Sequence, residues 1–96
     1  MKPAYMIIAI DIHDEAAMQP YVEGATPLLA DFGAEIVAMS DAPEILDGTW
    51  SRGRTIILKF PSKEKAKAFW NSPEYAPLKV LREQHSDQDN ILLEAP

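Results

Sequence analysis

The stretch RTIILKFPSKEKAKAFWNSPEY, Arg54 to Tyr75, constrains what this chain can fold into more than any other. An apolar strand from Thr55 to Phe60 runs into Pro61, which forces Phe60 out of the helical region. Ser62 then opens a helix as its N-cap. Ser72-Pro73-Glu74 repeats the start signal: serine caps, proline takes the first helical position, and glutamate complements the helix dipole. One strand-to-helix corner and one helix-to-helix corner are therefore expected within a single stretch. Ile56, Ile57 and Leu58 stand in succession, so the strand is expected to be buried on both faces.

The rest of the chain builds around these corners. From Ala4 to Ile12 the residues Met6, Ile8, Ile10 and Ile12 occupy one phase, and Tyr5, Ile7, Ala9 and Asp11 the other, which predicts another two-faced strand. Asp14 is a suitable N-cap for the helix that follows. Met18, Tyr21, Val22, Ala25, Leu28, Leu29 and Phe32 line one face of it at spacings of three and four. Pro20 and Pro27 each remove a helical hydrogen bond and predict a bend, and Gly33 supplies the left-handed stop.

Ala34 to Ser40 reads as a second strand, broken by Pro43. Glu44-Ile45-Leu46 reads as a short edge strand or an extension after a bulge, and Asp47-Gly48 as a tight turn. After the strand from Arg54 to Phe60, the second helix turns Ala66, Phe69 and Trp70 inward. Lys63, Lys65 and Lys67 form a solvated face, and Asn71 ends the helix. The third helix starts at Ser72 and carries Tyr75, Leu78, Leu81, Arg82 and His85 on one face. Asp87 to Asn90 reads as a polar turn and Ile91 to Ala95 as the last strand. The order β, α, β, β, α, β, with an extra helix before the last strand, predicts an α+β, ferredoxin-like subunit. It has an antiparallel four-stranded sheet in a single domain, residues 1–96.

Such a sheet has an assembly problem. Its amphipathic helices can cover one face only, yet the first and third strands are apolar on both. A chain of 96 residues buries only roughly 60 to 65% of its unfolded surface, and a broad exposed apolar patch is unusual on a monomer. A homodimer packed sheet to sheet is the economical solution. The net charge of −6, with scattered Lys and Arg, argues against a nucleic-acid partner. The absence of cysteine removes disulfides, thiolate metal sites and cysteine nucleophiles. The apolar N-terminal run ends at Asp11 and reads as a strand rather than a signal peptide, and no segment approaches the roughly 18 apolar residues of a membrane span. A cytoplasmic protein without membrane contact is expected.

Candidate functional residues are few. His13, between Asp11 and Asp14, has the surroundings of a general base or of a plain strand-to-helix junction. Arg54 and Arg82 suit a carboxylate ligand in a cleft, or pairing with Glu35, Glu44 or Glu74 inside the protein or across the dimer. Trp50, Trp70 and Tyr75 are the aromatic candidates for a pocket wall. Trp70, on the helical stripe, reads as core, and Trp50, in a loop after a glycine turn, as the preferred wall. His13 and His85 lack metal-site spacing, and no phosphate loop or serine elbow is present, so neither a metal nor a cofactor is expected.

The segments EILDGTW (Glu44 to Trp50), Arg54 leading into LKFPS (Leu58 to Ser62), AFWNSPEY (Ala68 to Tyr75) and Leu81-Arg82 together resemble a family of small bacterial proteins. This is domain-of-unknown-function family 1330, in the dimeric α+β barrel superfamily. The resemblance spans nearly the whole chain and is most specific at FPS, W and SPEY at their fixed spacing. The family commonly has an acidic residue immediately before FPS, where this chain has Lys59. The resemblance implies a ferredoxin-like subunit and a barrel formed by two sheets, without an established reaction. Cofactor-free monooxygenases, muconolactone-isomerase-like enzymes and haem-degrading proteins of the wider superfamily place ligands between sheet and helices. The expectation for this chain is a homodimer holding a small organic molecule in that cleft. Any chemistry would be cofactor-free isomerisation or oxygenation, with His13 moving the proton and Arg54 or Arg82 steadying negative charge. A non-catalytic ligand-binding or assembly module is the alternative.

Overall fold

The computed structural model describes residues 2–50 and 52–96. In chain order the elements are β1 (Ala4–Ile12), α1 (Glu15–Asp31), β2 (Glu35–Ser40), β3 (Arg54–Phe60), α2 (Lys63–Trp70), α3 (Ala76–His85) and β4 (Ser86–Glu94). The strands lie in the order β2-β3-β1-β4 and every pair is antiparallel. This is the expected ferredoxin-like α+β arrangement.

The start and stop chemistry operates as the sequence indicates at three of the four helical corners. Asp14 Oδ1 accepts from Ala17 N at 3.2 Å to cap α1, and Ser62 Oγ accepts from Lys65 N at 3.1 Å to cap α2. Although it contains Pro20 and Pro27, α1 is one continuous helix. It stops at Gly33, whose φ is +76°. A Cβ there would stand 2.8 Å from Pro61 Cγ, so backbone conformation and close packing both require glycine. At Gly24 a Cβ would stand 2.8 Å from Leu78 Cδ2, which is how α1 and α3 come close together.

The fourth corner corrects a sequence expectation. The third helix begins at Ala76 and not at Ser72. Ser72 Oγ donates to Phe69 O (2.8 Å) and accepts from Tyr75 N (3.2 Å), making a separate buried turn that carries the chain from α2 into α3. Serine's capping chemistry is present, but it closes this turn before the helix starts.

Period-two alternation sorts the sheet. Met6 is paired with Leu58 and Leu92, and Ile8 with Ile56 and Asn90, so these residues share the face toward the helices. Met6, Leu58, Phe60, Ala66, Phe69 and Tyr75 form the buried cluster. Phe69 is its hub, with ring centroids 4.4 Å from Tyr75, 5.8 Å from Phe60 and 5.9 Å from Phe32. The opposite phase carries Tyr5, Ile7, Ala9, Ile57, Ile91 and Leu93. No described helix covers that face. The Cα extents of 33 × 33 × 16 Å fit two layers, one sheet and one set of helices.

Three further expectations are revised. The last strand is not confined to Ile91–Ala95: β4 starts at Ser86, so the presumed turn Asp87–Asn90 is strand, paired with β1 from Ile8 to Asp11. Polar residues are tolerated there because edge-strand side chains bond one another, Gln88 Nε2 to Ser86 Oγ (3.1 Å) and Asn90 Nδ2 to Gln88 Oε1 (3.0 Å). Glu44-Ile45-Leu46 forms no strand and stays in the loop between β2 and β3, since Pro43 ends the ladder. Val22, at the edge of the α1 stripe, is exposed.

Phe69 should therefore dominate stability. Phe69→Ala is expected to cost about 3–5 kcal/mol in urea unfolding, against about 0.5 kcal/mol or less for Val80→Ala on the exposed side of α3. Comparable costs for the two would contradict the packing described.

Candidate functional site

The space between sheet and helices contains a cleft of about 230 Å³. Met6, Asn90 and Leu92 line it from the sheet, and Ala66, Lys67 and Trp70 from α2. Its walls are mostly apolar, as small-ligand sites are. Lys67 and Asn90 are the polar exceptions, and Asn90 is the informative one. Its amide nitrogen is held by Gln88, while its Oδ1 is buried without a partner. A buried acceptor in that condition forgoes a hydrogen bond worth having, which points to an occupant with a donor.

Beside the cleft lies a polar cluster built on the Ser72 turn. Tyr75 is 1% exposed, and its hydroxyl accepts from Arg82 Nη1 at 2.9 Å and shares a 2.9 Å hydrogen bond with Tyr21. Burial, reinforced by Tyr21, pushes the Tyr75 phenol far above its ordinary value, so it stays protonated. Arg82 is 4% exposed, and its Nε is buried without a partner. Among the described residues no carboxylate lies within 4.0 Å of its guanidinium. The guanidinium sits 4.9 Å from the ring centroid of Trp70, and Lys79 Nζ sits 4.4 Å from the same ring. Trp70 thus joins the cationic cluster to the cleft.

The other candidates lie elsewhere. Arg54 Nη2 meets Glu15 Oε1 at 3.0 Å and its Nε bonds Asp41, so it pairs with neither Glu35, Glu44 nor Glu74. The Asp41 hydrogen bond raises its pKa further, and its charge is matched twice over. It lines a second, more polar hollow with Asp11, Glu15 and Asp41. Nearby, Asp11 Oδ1 accepts from Gly53 N (3.0 Å) and Oδ2 meets Arg52 Nη1 (3.3 Å). The backbone bond first, and then Arg52, hold this carboxyl below its usual value.

His13 is half exposed, with Nε2 2.9 Å from Asp87 Oδ2. It lies seven residues beyond Met6 along the chain, roughly 20 Å at strand rise. Trp50 donates from Nε1 to Thr55 Oγ1 (2.8 Å) and lines a groove of about 410 Å³ in the loop between β2 and β3, with Ile45 and Leu46. Of the sequence candidates, then, Tyr75 and Arg82 come together, while His13, Trp50 and Arg54 stand apart from them. Trp70, read as core, packs against the buried cluster and also forms the cleft wall. Asn90 and Gln88 were missed, although Ser86, Gln88, Asn90 and Leu92 alternate with the period of a strand.

The cluster makes a stability prediction. Tyr75→Phe removes the acceptor of the buried Arg82 and the partner of Tyr21. It is expected to cost about 1–3 kcal/mol in urea unfolding; a loss below about 0.5 kcal/mol would mean that the hydroxyl bridge is not formed.

Solved structures share this fold. A protein of unknown function from Rhodopseudomonas palustris has a TM-score of 0.79 at 17% identity, covering 99% of this chain and 83% of that one. A dimeric protein of unknown function and ferredoxin-like fold from Bacteroides fragilis has a TM-score of 0.61 at 14% identity, covering 97% and 96%. SnoaB, a cofactor-independent oxygenase from Streptomyces nogalater, has a TM-score of 0.61 at 11% identity, covering 100% and 95%. At these identities the likeness is one of fold. No functionally curated protein matches the chain in sequence. Residues 3–96 match the family described as Domain of unknown function (DUF1330), and the chain belongs to that family.

Proposed function

We propose that this protein is a cytoplasmic homodimer, packed sheet to sheet, in which each subunit binds a small organic molecule in the cleft between sheet and α2. The observation that carries the reading is the cleft's construction: apolar walls from two layers, one indole, and one buried acceptor left free at Asn90 Oδ1. The dimer is supported by the apolar residues on the uncovered sheet face, Ile91 at 54% and Leu93 at 49% exposure among them. The Bacteroides fragilis protein of the same fold is described as dimeric.

Binding without turnover is favoured by the lining. Among the described residues that line the cleft there is neither a histidine nor a carboxylate to move a proton. The second reading, cofactor-free oxygenation or isomerisation, draws on the fold likeness to SnoaB, an analogy at the level of fold. It would need a proton-moving group near Trp70, and His13 is engaged with Asp87 at the far end of β1.

Labelling with 5-fluorotryptophan gives one ¹⁹F resonance each for Trp50 and Trp70. Titration with p-cresol, a small neutral phenol, is expected to shift Trp70 and leave Trp50 in place. A shift confined to Trp50 would move the site to the loop groove, and no shift at millimolar p-cresol would count against a ligand cleft.

A further inference from the structure

The chain carries a net charge of −6, yet the surroundings of Trp70 are cationic. Lys67 lines the cleft, Lys79 lies over the Trp70 ring, and Arg82 is buried against it. Among the described residues none of the three has a carboxylate within 4.0 Å, whereas Arg52 and Arg54 are each paired with two. Glu83 is close enough to act on the Tyr75 hydroxyl but makes no ion pair with these cations. A guanidinium 4% exposed, with one hydrogen bond and an orphan Nε, is poorly compensated as it stands. The same protein pairs each of its more exposed arginines with two carboxylates, although Arg52 Nε also lacks a hydrogen bond.

We propose that the ligand of the cleft is a small organic carboxylate bearing a hydroxyl. Its carboxylate pairs with Lys67, the cation that lines the cleft, in the field of the Arg82 charge stacked on Trp70, and its hydroxyl donates to Asn90 Oδ1. This assignment rests on the cleft being a ligand site and adds the chemical class of the ligand. Arginine and lysine favour carboxylate through charge-assisted hydrogen bonds, and the low dielectric beside a buried aromatic cluster strengthens them. Asn90 Oδ1 can only accept, so it selects a donor at the other end of the molecule. The 230 Å³ of space accommodates a single six-membered ring with two substituents.

The probes are 4-hydroxybenzoate and 4-hydroxybenzamide, which keep the phenol and differ in charge at one end. In the full-length chain, titrations followed at the Trp70 ¹⁹F resonance are expected to give affinity for the benzoate about tenfold or more above that for the amide. That ratio should shrink to about threefold or less in Lys67→Met and in Arg82→Met. Lys67 is exposed, so its variant remains informative even if Arg82→Met fails to fold. Asn90→Leu should weaken both probes and preserve their ratio. Equal affinity for the two probes overturns the anion assignment while leaving the cleft a binding site. A benzoate preference that survives the Lys67 and Arg82 substitutions also overturns it. Silence of Trp70 toward both probes overturns the assignment and the cleft reading together.

Discussion

A four-stranded sheet with apolar side chains in both phases needs cover on two sides, and the helices of this chain supply one. Everything else in the structure follows from how that single helical layer is seated. The corner at Pro61 and Ser62 lays α2 across the sheet. Gly33, held in the left-handed region against Pro61, lets α1 end beside the same corner. Phe69 then meets Phe32, Phe60 and Tyr75 at one point. The core is small, and its stability is concentrated in that aromatic contact.

The same seating creates the cleft. Where β4 carries Ser86, Gln88 and Asn90 in place of apolar residues on the helix side, Trp70 packs against the core cluster and also walls the cleft. The polar strip satisfies itself along the strand except at its last member, whose oxygen faces the cleft region unbonded. Next to it the Ser72 turn delivers Tyr75 to Arg82 and Tyr21. A buried arginine without a carboxylate is a costly arrangement for a fold to maintain, and Trp70 sets that charge beside the cleft.

Much of the fold was legible in the sequence because local chemistry and tertiary packing agree there. Asp14 and Ser62 cap where expected, Gly33 stops α1, and the two-phase strands are the central pair of the sheet. The failures have physical causes. The start of the third helix was misplaced because a serine-capped turn and a serine-capped helix begin with the same residues. The first half of β4 was read as a turn because Asp87-Gln88-Asp89-Asn90 is polar in both phases, and edge pairing with β1 overrides that composition. The candidate site was only half legible. Arg82 and Tyr75 are marked by their helical phase, but the pairing of Arg54 with Asp41 and Glu15 is set by loop geometry that spacing does not encode.

The uncovered sheet face requires a partner surface. Sedimentation equilibrium of the purified chain at micromolar concentration measures it directly. The expected result is a single species of twice the 10.7 kDa chain mass, reduced to the monomer by Ile91→Lys. A stable 10.7 kDa species for the unmodified chain would contradict it.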